Sequence, residues 1–405
     1  MMKIGIRYNL LYPLMLIIFS FFRKIDSILM YEIIGVKGSL LLTLIMFLSE
    51  FFSGLILFRY HMAFLRRENK STFMGIDLIE GQTEIHSPDS DIKIYLLIFC
   101  ATFFDFVEFL LQTYHIPSQF DDVSISIDIR LRSILILCSA LCCYFILKFP
   151  IFRHQIFSLI IILICLIIVI FSEYYFVYYL GKNDQIHYLL LLAFICQIFN
   201  SFLDLVEKYL LEYDFVNPFK MLMIEGFFGS IITTAYYFLP GISFEINNSK
   251  GIEESQFIII LVIFLIVYFL LSGARNSYRV ATNKLYSPMT RALADSILDP
   301  FLIIYYYFFD DDFKVDGKRN ITYFIINLAT SIIMVFCSCV YNELIILFCC
   351  KLEYDTHHEV SIRAKDIEKA YELSSEESSD LYSSFNSDYE IKSEKSAKSK
   401  NNIFE

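Results

Sequence analysis

The run 155–179 holds a single ionisable acid, Glu173, among residues that are otherwise almost all Ile, Leu, Val, Phe and Tyr. An apolar stretch of that length has one stable home, a helix across a bilayer, because about 20 helical residues span the hydrocarbon core. Runs of similar character recur near 8–25, 38–59, 94–116, 130–149, 187–207, 219–239, 256–275, 288–309 and 321–349. Together they predict ten transmembrane helices, the first being the shortest. Composition agrees: apolar residues make up 57% of the 405, charged residues 19%. A soluble fold of this length is excluded.

The net charge of −11 is unevenly spread, with about half of it in the last fifty or so residues. No basic patch points to nucleic acid. The ten cysteines are scattered through apolar runs without a histidine cluster, so no zinc site is expected. No cofactor motif is present, and no metal site is expected. Cys349-Cys350, ahead of Lys351, fits palmitoylation. The basic start, Met1 to Arg7, leads into an apolar run with no small-residue cleavage site before Arg23-Lys24; it reads as a first span, not a removed signal.

Lysine and arginine set the orientation. With the N-terminus in the cytosol, the inside segments carry Lys3 and Arg7, Arg59 to Lys93, Lys148 and Arg153, Lys208 and Lys220, Arg275 to Lys284, and Lys351. The outside loops carry acidic groups such as Asp121-Asp122 and Asp310-Asp311-Asp312. The sequon at Asn247 falls outside, as a candidate glycosylation site. From about Glu353 the chain turns rich in Ser, Glu, Asp and Lys and predicts a disordered acidic cytosolic tail. Within it, Tyr382-Ser383-Ser384-Phe385 fits a tyrosine-based sorting signal for an adaptor.

Two spans share a pattern. Glu50-Phe51-Phe52-Ser53-Gly54 and Glu225-Gly226-Phe227-Phe228-Gly229 both place Glu, Phe and Gly at i, i+2 and i+4. Arg132-Ser133-Ile134-Leu135 and Arg291-Ala292-Leu293-Ala294 open the fourth and ninth spans alike. The expected architecture is two five-helix repeats, 1–180 and 181–351, followed by the tail at 352–405. Five is odd, so the second repeat is inverted, as in many secondary transporters.

These segments carry a family resemblance. Phe47 to Gly54, Ile224 to Gly229, and Ser287-Pro288-Met289-Thr290-Arg291 through Asp295-Ser296 resemble, in order, segments of the solute carrier 35 family, in its F branch. That family belongs to the drug/metabolite transporter superfamily. The resemblance covers roughly residues 30–350 and implies ten helices and alternating access, without naming a substrate. The chain departs from the pattern in having only 13 glycines, and Ser133 where glycine is usual.

The candidate site comes from charges that a span should not carry. Arg291, Asp295 and Asp299 lie at i, i+4 and i+8 and drift only about 80° around a helix, so one face is expected to hold all three. A lipid-facing stripe is too costly, which leaves a cavity wall or a structural Arg291–Asp295 pair. Glu50, Asp105 and Asn276 join them as cavity candidates; Glu108, Asn200, Asp204, Glu225 and Glu343 are further intramembrane polar groups. Arg275 and Arg279 read equally as anion neutralisers or as topogenic charges. No set of nucleophile, base or metal ligands suggests an enzyme. The expected function is secondary transport of a small polar organic solute across an endomembrane, late endosome or lysosome ahead of Golgi, coupled to protons or exchange. The alternative is a non-transporting scaffold of the same fold. The partners are then the solute and the bilayer, with homodimerisation open.

Overall fold

The computed structural model describes residues 2–4, 11–34, 40–68, 88–112, 129–180, 186–239, 253–309, 313–315 and 318–347, with isolated positions between 352 and 363. The sequon at Asn247, the Cys349-Cys350 pair and the tail motif with Tyr382 and Phe385 lie outside the described residues. The chain divides into a small unit, Met1–Lys3, Phe152–His154 and Ile346–Glu405, and a large one, Ile4–Ile151 and Gln155–Ile345. In the small unit the Phe152 ring stacks on His154 at 6.1 Å. Everything below concerns the large unit.

The fold is helical, with a short antiparallel pairing of Lys314–Val315 and Lys318–Arg319. The helices are α1 (Leu11–Ile34), α2 (Leu40–Glu68), α3 (Pro88–Leu110), α4 (Ser133–Phe145), α5 (Arg153–Glu173), α6 (Ile186–Glu212), α7 (Pro218–Tyr237), α8 (Glu254–Leu285), α9 (Pro288–Ser296), α10 (Asp299–Phe309) and α11 (Ile321–Tyr341). Among the described residues, six segments are long and apolar enough to cross a membrane, α9 and α10 counting as one; α1, α3, α4 and α7 fall short in length, apolar content or freedom from charge. The first span is longer than expected: α1 has 24 residues and runs through Arg23, Lys24 and Asp26.

The polarity of the helices is inverted relative to a soluble bundle. On α5, Ile160, Leu163, Ile164, Ile167, Ile168 and Phe171 form an exposed face at helical spacing. On α8 the exposed face is Ile258, Ile259, Val262, Ile263, Ile266 and Leu270. The interior holds Glu50, Asp105, Asp204, Glu207, Glu225, Arg279 and Arg291. Hydrocarbon outside and charge inside is what a bilayer solvent selects.

Local chemistry explains several boundaries. Asn217 caps α7, its Oδ1 accepting from the backbone N–H of Phe219 (2.9 Å) and Lys220 (3.3 Å), with Pro218 in the first turn. Ser287 caps α9 in the same way, ahead of Pro288. Pro300 lacks an N–H and cannot close the ladder back to Ser296, so the helix breaks at Ile297-Leu298 and restarts as α10. After Glu173, α5 widens into a π-helix, Tyr174–Leu180.

The most extensive helix contacts are α2 with α7, α1 with α8, and α3 with α6, followed by α8 with α2, α4 with α6, and α3 with α7. Glycine permits the closest of these. A Cβ on Gly226 would collide with the Phe51 backbone N and lie 2.7 Å from the Phe47 carbonyl oxygen; one on Gly54 would sit 2.8 Å from the Met223 Cα. The two backbones thus approach at the paired Glu-Phe-Gly segments.

Candidate functional site

Two helices carry polar stripes into the interior. On α8, Ser272, Asn276, Arg279 and Asn283 recur at helical spacing and are at most 1% exposed. On α6, Gln197, Asn200, Ser201, Asp204, Glu207 and Lys208 also recur at helical spacing and are buried. The stripes meet: Asn283 Nδ2 donates to Glu207 Oε2 (2.9 Å) and to the Asp204 carbonyl (3.2 Å).

Beside this seam lies a partly open cleft of about 510 Å³. Its wall is built by Ser20, Arg23 and Lys24 of α1, Met46 of α2, Asp105, Glu108 and Phe109 of α3, Gln112 just beyond it, Arg132 and Leu135 at the start of α4, Asn200 of α6, Arg275 and Arg279 of α8, and Arg291 and Asp295 of α9. Six of these are cationic and three are carboxylates.

Three ion clusters stand around the cleft. In the first, Arg279 is ringed by Glu207 (2.9 Å), Glu50 (3.6 Å), Asp105 (3.7 Å) and Glu225 (3.7 Å), each from a different helix. Asn276 Nδ2 donates to Glu50 Oε1 at 2.7 Å. In the second, the Arg291 guanidinium bonds the Asp204 carboxylate and the Asn200 amide oxygen (2.7 Å), and its Nε lies 3.4 Å from Asp295. Arg275 donates to that same Asp295 oxygen, Oδ2 (3.1 Å), and to Ser20 Oγ (3.2 Å); Ser20 in turn donates to Asp295 Oδ1 (3.1 Å). In the third, Arg132 donates to Asp299 Oδ1 (3.0 Å) and to the Asp295 carbonyl (2.8 Å), with Lys24 Nζ at 3.6 Å from Asp299.

Of the six cavity candidates, Asp105, Arg291 and Asp295 line the cleft. Glu50 and Asn276 sit beside it and reach it through Arg279; Asp299 reaches it through Arg132. The expected continuous face of Arg291, Asp295 and Asp299 is interrupted, because the break at Ile297-Leu298 separates Asp299 from the other two. Asp299 therefore takes partners from α1 and the start of α4, not from its own helix.

Sequence reasoning read Arg275 and Arg279 as anion neutralisers or as topogenic charges and placed Lys208 at a cytosolic end. The helices extend past these charges, α8 to Leu285 and α6 to Glu212, and Arg279 and Lys208 are 1% and 2% exposed. Carboxylates of neighbouring helices pair with Arg279, and Glu212 of the same helix pairs with Lys208 (2.6 Å), which offsets the cost of burial. Lys208 also donates to the carbonyls of Asn283 (3.0 Å) and Tyr286. Glu207, Ser20 and Lys24 were not singled out. The stripe of α6 carries the signal for Glu207: it follows Asn200 and Asp204 on the same face. Arg132 was noted only as a repeat marker, though its pairing with Arg291 already hinted at a shared role. No protein-family model matches the chain, and no curated protein matches it significantly.

Proposed function

We propose that the protein is a secondary transporter that moves a small polar organic solute by alternating access. The observation that carries this is the charged cleft inside a bundle whose outer faces are hydrocarbon. Burying so many ionisable groups is costly, and such groups in membrane proteins mark solute and ion pathways. The wall draws on helices from both halves of the chain, α1 to α4 and α6 to α9. A site between halves is what rocking of one half against the other requires.

The proposal includes two five-helix repeats and membership of the F branch of the solute carrier 35 family. Helix contacts support the repeats. Moving each span five places on turns α1·α8 into α6·α3, and α2·α8 into α7·α3; both members of each pair are present, and α2·α7 maps onto itself. The glycine crossing of α2 and α7 falls on the repeated motif. With cytosolic termini and an endomembrane location, protease added to the cytosolic face of sealed vesicles removes the C-terminal tail; a protected tail contradicts that orientation.

Transport is tested with the purified chain in proteoliposomes, offered a cytosolic small-molecule extract and read by mass spectrometry. Solutes retained above protein-free liposomes, and lost in Arg291→Gln, are the expected result. Well-inserted, folded protein that retains nothing overturns the proposal.

A further inference from the structure

Arg279 belongs to two places at once. Four carboxylates surround it, Glu50, Asp105, Glu207 and Glu225, from α2, α3, α6 and α7, at 2.9 to 3.7 Å. Arg279 and Asp105 also line the cleft, whereas Glu50, Glu207 and Glu225 do not. Among the described residues, Arg279 is the one cation within 4.0 Å of these four acids. The neighbouring charges are committed elsewhere. On α8, Arg275 holds Asp295. On α6, Asp204 is held by Arg291, and Lys208 by Glu212. On α3, Glu108 receives the Asn200 amide at 3.4 Å. On α1, Arg23 and Lys24 face the cleft, and Asp26 is buried. Lys220 in the first turn of α7 lies over the Tyr95 ring, and Lys284 sits at the far end of α8.

One guanidinium cannot neutralise four carboxylates. Fully ionised, the cluster would hold three uncompensated negative charges in the interior, and like charges this close cannot all stay ionised. The oxygens carry an independent sign of the same thing. Glu50 Oε2, Asp105 Oδ2, Glu207 Oε1 and both oxygens of Glu225 are buried without a hydrogen-bond partner. Glu207 Oε1 lies 2.9 Å from the Arg279 guanidinium, and the others have no donor within hydrogen-bond distance; a carboxylate oxygen without a donor is free to carry a proton.

We propose that Glu50, Asp105, Glu207 and Glu225 form a proton-binding site that shares Arg279 with the cleft, so that protonating the cluster frees the guanidinium for an anionic group of the solute. This rests on the solute cleft proposed above. Each step adds one proton, taken from water, to one carboxylate oxygen; no other bond is made or broken. Each proton removes a charge that holds Arg279. The wall, already cationic through Arg23, Lys24, Arg132, Arg275 and Arg291, then gains Arg279 as a cation released from its acids. Solute and proton thereby bind with positive coupling, and coupling of this kind is reciprocal. The solute class is a carboxylate- or phosphate-bearing organic anion.

The test is equilibrium binding of radiolabelled sulfate, whose charge is fixed between about pH 5.5 and 7.5, to the full chain in lipid nanodiscs. For one linked proton, wild-type affinity rises about tenfold per pH unit as pH falls. Glu225→Gln, which keeps shape and mimics protonation, is expected to bind at neutral pH as wild type does in acid, with a flattened pH slope. Glu207→Gln serves equally if the first variant does not fold. Arg279→Gln is expected to lose binding at both pH values. Wild-type binding that ignores pH, an unchanged slope in both Gln variants, or no sulfate binding at all overturns the proposal. Uptake that fails while this binding pattern holds counts against transport alone; uptake that persists with pH-independent binding counts against the proton site alone.

Discussion

Two arginines are buried in this bundle with contrasting company. Arg130, on the turn leading into α4, donates to Glu173 Oε1 at 2.6 Å and to the Tyr323 hydroxyl. Tyr323 donates to the other oxygen of Glu173, also at 2.6 Å. The rings of Phe313 and Tyr323 flank the guanidinium at 5.2 and 5.3 Å. Among the described residues the guanidinium pairs with one carboxylate, and both of that carboxylate's oxygens are bonded. Arg279 meets four anions, most of whose buried oxygens are orphaned, beside a cleft. The same chemistry closed upon itself makes a lock. Left under-neutralised, it makes the place where a proton and a solute are proposed to bind.

Breaking the lock is expected to have the largest effect on stability. Arg130→Leu leaves Glu173 buried and unpaired, at a cost of about 3–5 kcal/mol, seen as lost yield and a lower melting temperature in detergent. The double variant Arg130→Leu, Glu173→Leu sharpens the point, because removing both charges should recover most of that loss. A double variant as unstable as the single one would mean that the pair itself, not its imbalance, holds the fold. Tyr323→Phe removes two hydrogen bonds to ionised groups, one accepted from Arg130 and one donated to Glu173, and should cost at least about 1.5–3 kcal/mol by the same melt. Gly226→Ala forces a methyl into the Phe51 backbone and should cost about 1–3 kcal/mol, while Gly→Ala at a helix position free of such contact would stabilise.

The Arg279 site should respond in the opposite way. Glu225→Gln is expected to shift melting by less than the equivalent of about 1 kcal/mol, since a neutral side chain there only mimics a protonated one. Its consequence appears in the pH profile of binding. A large destabilisation by Glu225→Gln would erase the contrast and make both arginines structural.

Much of the fold was legible because hydrocarbon runs leave little choice. Segments 155–179 and 187–207 became α5 with its π-helical end and α6 with small boundary changes, whereas 321–349 became the shorter α11, which stops at Tyr341 before a strand at Ile345–Leu347. The charges that an apolar span should not carry, Glu50, Asp105, Asn276, Arg291, Asp295 and Asp299, are all buried. What was hidden lies where an apolar run ends before its helix does. Hydropathy stops at the first charge, but α8 runs on through Arg275, Arg279 and Lys284 because carboxylates on other helices receive the first two. No local signal could show that, since the partners sit far away in sequence. The Arg130 lock was invisible for the same reason: Glu173 lies inside the run 155–179, 43 residues after Arg130, and Tyr323 lies 150 residues beyond it. The break before Pro300 was foreshadowed by the Asp299-Pro300 pair, yet its effect, giving Asp299 to Arg132, needed the packing of α4.

The central claim, that the charged cleft moves a solute while the Arg130 cluster only holds the fold, is most directly tested by uptake under an imposed proton gradient. Wild-type protein in proteoliposomes should accumulate organic anions from a metabolite mixture, and more strongly with the gradient than without it. Arg279→Gln should abolish the accumulation, and the double Leu variant of Arg130 and Glu173 should keep it. Accumulation that survives Arg279→Gln, or that is absent from folded and inserted wild-type protein, would contradict the account.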